Sequence, residues 1–201
     1  MLIRLLAASR SEERERAASE LFRRGRELAR AATVTWLNDP DFLHQMVLDA
    51  SHFPVTTVGI AVTAENFEHI RAACGAPRLA DVPSDQDVKE FELQCPPDVR
   101  LDILTTREPG GSGAIVRFLQ KFGEGVQQIE FLTHDVDAAT EILRAHFSVL
   151  PIYPSTRAGA DGTLVNFFLA STASGRKVLI ELVEAAAGSY TGYTEGTSGK
   201  H

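Results

Sequence analysis

The side chains with the plainest chemical potential are two carboxylates in the middle of strand-like runs. Asp102 sits in VRLDILTT (99–106) and Glu181 in KVLIELVE (177–184). Each has a polar counterpart in an earlier run, Thr57 in VTTVGIAV (55–62) and Gln128 in VQQIEFLT (126–133). Successive side chains on a strand point to opposite faces. Asp102 therefore opposes Leu101 and Ile103, and Glu181 opposes Ile180 and Leu182. Gln128 and Glu130 oppose Ile129 and Phe131. In the first run Val58, Ile60 and Val62 turn one way, and Thr57, Gly59 and Ala61 leave room on the other. A curved sheet would gather Thr57, Asp102, Gln128 and Glu181 on its hollow side. Two carboxylates with two neutral donors suit a divalent cation of the Mg, Mn or Co kind. The same alternation also describes a sheet whose second face is merely solvated. Periodicity leaves both readings open, and recurrence of the pattern in both halves weighs toward a site.

Those four positions are set by a pattern of elements that runs twice from residue 53 onward. The first pass reads as strand 55–62, helix 64–75 and strands near 88–94 and 99–106. The second reads as strand 126–133, helix 135–147 and strands 164–171 and 177–184. Each pass has a βαβββ order, and the fold expected is α+β: paired βαβββ modules forming a curved sheet cup. Thr57 to Asp102 spans 45 residues (102 − 57) and Gln128 to Glu181 spans 53 (181 − 128), a spacing that supports duplication. Residues 1–50 read as a helical extension, with Ala17, Ala18, Leu21, Phe22 and Leu28 at spacings of three and four. Asn38–Asp39–Pro40 ends that helix, and Asp39 can cap a second short one over DFLHQMVLDA (41–50). The chain thus divides into an extension (1–50), a domain (51–187, modules about 53–108 and 124–184) and a flexible Gly/Ser/Thr-rich tail (188–201).

Composition excludes several function classes. The 201 residues carry 20 basic and 27 acidic side chains, for a formal charge of −7. That balance argues against nucleic acid and anionic membranes, which require a positive patch. Residues 1–50 hold eight Arg and eight acidic residues, so their Arg-rich stretch reads as an ion-paired helix face. Cys74 and Cys95 lack CxxC spacing, no GxSxG occurs, and the loop REPGGSGAIVRF (107–118) lacks both GxGxxG and GK[ST]. No apolar run approaches the roughly 20 residues that span a bilayer. A reducing cytoplasm is the expected location.

The segments VRFLQKFGEGVQQIEFLTHDVDAA (116–139) and ADGTLVNFFLASTASGRKVLIELVE (160–184), with TVGIAV (57–62), resemble the vicinal oxygen chelate superfamily, and within it the methylmalonyl-CoA epimerases. The resemblance covers roughly 53–184. It implies a cup around a divalent metal that holds two neighbouring substrate oxygens while a carboxylate moves a proton. Carried across, the metal ligands fall on Thr57, Asp102, Gln128 and Glu181, and the proton-moving glutamate on Glu90 or Glu92 in VKEFELQ. Those two share a face, so alternation does not choose between them. The family pattern has histidine where Thr57 and Gln128 stand. A metal (Co, Mn, Mg or Ni) is therefore expected to bind weakly or not at all, since the imidazoles are the strong neutral ligands of such sites.

Two functions follow from the resemblance. The first is a glyoxalase-like or methylmalonyl-CoA epimerase-like isomerase with a degenerate metal site. In it Glu181 serves catalysis as a metal-holding carboxylate, and Glu90 or Glu92 as the base. The second is a metal-free small-molecule-binding protein on the same scaffold. The partner expected is a small molecule, an acyl-CoA being one candidate, within a homodimer. A regulatory role for residues 1–50 as an interaction helix is a third reading.

Overall fold

Residues 2–184 are described by the computed structural model, and the tail expected to be flexible lies outside the described residues. The chain begins with α1 (Leu2–Leu5), the long α2 (Ser11–Leu37) and α3 (Pro40–His44). The first module follows as β1 (Thr56–Ala61), α4 (Ala64–Ala73), β2 (Lys89–Cys95) and β3 (Val99–Thr105). After α5 (Ala114–Phe122) comes the second, as β4 (Gly125–Thr133), α6 (Val136–Phe147), β5 (Arg157–Ala158), β6 (Leu164–Ser171) and β7 (Lys177–Glu184). The expected elements are all present within a residue or two, except at two places. The helix expected over residues 41–50 stops at His44, and the chain beyond it makes isolated bridges from Met46 to Thr133 and from Leu48 to Pro54. The first module forms only three strands, and residues 76–88 cross its edge as irregular chain.

The seven strands form one curled, mixed sheet in the order β2-β3-β1-β4-β7-β6-β5. β1 and β4, the first strands of the two modules, pair antiparallel at the centre, and each pairs in parallel with the last strand of its own module. Thr57 consequently lies opposite Glu130, and Glu130 opposite Glu181. Gly59 faces Asp102 on one side and Gln128 on the other. A bulge between Gly59 and Ile60 inserts Gln127, which increases the local curl.

The core lies on the convex face. Val58, Ile60, Leu101, Ile103, Ile129 and Phe131 are fully buried there. α2 lies across this face and packs on β1, β3, β4, β6 and β7, so residues 1–50 share the core of the modules. Ala17, Ala18, Leu21 and Phe22 turn inward as the spacing requires, while Arg23 and Arg24 pair outward with Glu20. The approach is closest at Gly25, where a Cβ would stand 2.5 Å from a Val58 methyl. Asp39 caps α3 by accepting the Phe42 N–H, as expected.

Candidate functional site

The concave side encloses a cavity of about 820 Å³. Its floor is built by the alternation described above: Asp102, Gln128, Glu130 and Glu181 point into it, and Thr57 lines it beside them. Glu90 and Glu92 stand on the β2 wall, with Glu92 opposite Asp102. No histidine lines it among the described residues. The room expected beside Gly59 and Ala61 is taken up by the protein itself. Ala61 is buried under α5 with Leu104 and Ile115, and Gly59 lies under the Gln128 stem. α5 and its glycine-rich loop therefore cover one end of the cup. Asp87 ties that loop down by accepting from the Thr106 hydroxyl and from the Arg107 and Glu108 N–H groups.

The floor is a connected polar network. The Gln128 amide nitrogen donates to Glu181 Oε2 at 2.6 Å and to Glu130 Oε1 at 3.2 Å. Asp102 hydrogen-bonds to Glu130, and carboxyl groups in such contact share a proton, since both cannot ionise together. Burial, and then the charge of Glu130, holds Asp102 well above the usual carboxylate range. Glu181 is only 7% exposed, and burial, then Glu130 and Glu90, raise it likewise. Burial also raises Glu130, against the lowering effect of its bonds from Asp102 and Gln128. The Glu90 carboxyl is pushed up to about 7, first by burial and then by Glu130 and Asp161, with Arg107 opposing. The inserted Gln127 also lines the cavity, and its amide oxygen is buried without a hydrogen-bond partner.

The rim joins the modules. Arg78 pairs with Asp161 at 2.7 Å, Arg157 pairs with Asp85, and Gln86 donates to the Ala158 carbonyl. Asp161 lies in a single 3-10 turn (Ala160–Gly162) and also accepts the Asp81 N–H. The irregular edge of the first module is thereby closed against the β5 region of the second.

All four residues expected as ligands thus line one cavity. Three of them are linked by hydrogen bonds: Gln128 bonds to Glu181 and to Glu130, and Glu130 bonds to Asp102. Glu130 joins them although it is not among the expected ligands. The signal for it in the sequence is the face it shares with Gln128; its position opposite Thr57 is set by the register between strands. Among the described residues, Asp39, Asp41 and His146 bring three potential metal-ligating atoms within 4.8 Å. That group is outside the cavity, and His146 is already paired to Asp39 at 2.9 Å.

A continuous sheet curled round a polar floor, with two like modules joined at their first strands, defines a paired-module ligand cup. The chain matches solved structures of that class. A methylmalonyl-CoA epimerase from Mycobacterium tuberculosis is 30% identical, with a TM-score of 0.54 over 66% of this chain and 88% of that one. A Streptomyces coelicolor methylmalonyl-CoA epimerase variant in complex with 2-nitronate-propionyl-CoA is 29% identical, with a TM-score of 0.52 over 67% of this chain and 98% of that one. A methylmalonyl-CoA epimerase in complex with methylmalonyl-CoA and NH4+ gives 29% and 0.52 over 67% and 95%. No protein-family model and no curated protein matches the sequence. The chain belongs to the vicinal oxygen chelate superfamily, on the side of its methylmalonyl-CoA epimerases.

Proposed function

We propose that the chain is an epimerase-like isomerase in which Glu90 moves a proton next to the carbonyl or thioester of a small molecule held in the cup. The observation that carries this is the Glu90 carboxyl itself. It faces the cavity, and its pKa of about 7 is that of a base able both to take an α-proton and to return it. Charge then develops on the neighbouring ligand oxygen. The proton that Asp102 shares with Glu130 lies on the floor beneath that oxygen, and turning it from Glu130 to the ligand would supply a hydrogen-bond donor there, the task a Lewis acid performs in metal-dependent relatives of this chemistry. An acyl-CoA is the ligand class we favour, because two relatives are complexes with such molecules.

The test is deuterium incorporation from heavy water into methylmalonyl-CoA or propionyl-CoA, followed by mass spectrometry. The expected outcome is exchange by the wild type, loss of at least about a hundredfold in Glu90→Gln, and near-normal exchange in Glu92→Gln. No exchange by the wild type on either thioester would remove this reading. The second reading is a metal-free binding protein, favoured by the way Gln128 satisfies Glu130 and Glu181 without an ion. It expects ligand-induced stabilisation that ignores EDTA. We also propose a homodimer, supported by the exposed Leu164 and Leu169 on β6, and a reducing, cytoplasmic location, supported by the free Cys74 and Cys95.

A further inference from the structure

We infer that in this chain the Gln128 side-chain amide occupies the place at which the superfamily's divalent cation would be held, so that the cup works without one. The inference rests on the cup proposed above, and not on proton transfer taking place in it.

A cation requires lone pairs aimed at one point. Here the Gln128 amide nitrogen, which has hydrogens and no free lone pair, lies 2.6 Å from Glu181 Oε2 and 3.2 Å from Glu130 Oε1. Turned over, its oxygen would face Glu130 Oε1, the oxygen of a carboxyl group that already accepts from Asp102, so Glu130 favours the nitrogen at that position. An N–H donor is thus directed at the carboxylate oxygens that a metal would need.

Among the described residues, the group that brings three ligating atoms of His, Cys, Asp or Glu within 4.8 Å of one another is Asp39, Asp41 and His146, outside the cup. Asp102 is engaged by Glu130, and Thr57 offers only a hydroxyl, a weak ligand for Co, Ni or Zn.

Gly59 and Gln128 are partners across β1 and β4, and a Cβ on Gly59 would stand 2.5 Å from Gln128 Cγ and 3.1 Å from a Leu104 methyl. The bare Gly59 backbone is therefore the slot that seats the Gln128 stem. Its amide is held by contact as well as by hydrogen bonds.

The experiment is metal analysis of the protein purified in metal-supplemented medium, with melting followed during addition of Co, Ni, Mn or Mg to about a millimolar. The wild type is expected to carry none of these ions above background, with a Tm that neither the ions nor EDTA moves. Thr57→His combined with Gln128→His is expected to gain a Co- or Ni-dependent rise in Tm that EDTA reverses. Near-stoichiometric metal in the wild type, or an ion-dependent rise that Glu181→Ala removes, would overturn the inference. So would a double variant with wild-type circular dichroism that gains no ion, because something other than Gln128 and Thr57 would then be excluding it. None of these readouts depends on deuterium exchange, so this inference and the proposed activity can fail separately.

Discussion

Glu90 shows how one side chain couples the site to the stability of the fold. Its pKa rises from an ordinary 4.5 to about 7, so between those values the folded chain binds a proton that the unfolded chain has released. Stability linked to Glu90 is therefore present in full below about pH 4.5 and declines as pH rises through about 7. At 1.36 kcal/mol per pKa unit, the difference amounts to about 3 kcal/mol. Glu90→Gln removes the charge and should be more stable than the wild type at pH 8, with the gap closing toward pH 5. Urea melts at the two pH values measure this directly. A gap that widens toward acid would contradict the assignment of burial as the cause. The same Glu90→Gln variant should lose exchange activity at every pH, which separates the two roles of the residue.

The elements carry the energetics, and α2 illustrates this at its contact with β1. A Cβ on Gly25 would come within 2.6 Å of both Val58 methyls, atoms in a fully buried side chain that cannot swing away. Gly25→Ala would gain about 1 kcal/mol in helix propensity. Overpacking against a buried neighbour costs about 1–3 kcal/mol, so the variant is expected to melt lower than the wild type despite its better helix former. Pairing Gly25→Ala with Val58→Ala should recover part of the loss, which a double-mutant cycle reads out.

The strands and helices were largely legible in the sequence because period-two and period-3.6 patterns act within a single segment. The Asp102, Gln128 and Glu181 faces came from that local rule. What lay beyond it was set between segments. The opposition of Glu130 to Thr57 and Glu181, the bulge that inserts Gln127, and the Gly59 slot all depend on register across strands, which no single strand encodes. The irregular residues 76–88 and the cover of α5 over Ala61 likewise depend on tertiary contacts.

At the scale of the whole molecule, the cup has a fixed body and a fastened rim. Arg78–Asp161 and Arg157–Asp85 are solvent-facing pairs, and such pairs contribute about 0–1 kcal/mol each. Asp161→Asn keeps a residue type that tolerates the left-handed backbone at φ 51 while removing the charge. It is expected to leave Tm almost unchanged and to speed ligand dissociation several-fold, as measured by stopped-flow release of a bound acyl-CoA. An unchanged or slower release would mean that the rim pair does not restrain the ligand. The body behaves differently. α2 crosses strands of both modules on the convex face, so it holds the β1–β4 seam like a splint across a joint. Parting the strands at that seam would also strip α2 from the apolar residues it buries, so widening the chamber there costs packing as well as strand hydrogen bonds. Trimming side chains inside the chamber is the cheaper route to a bulkier ligand.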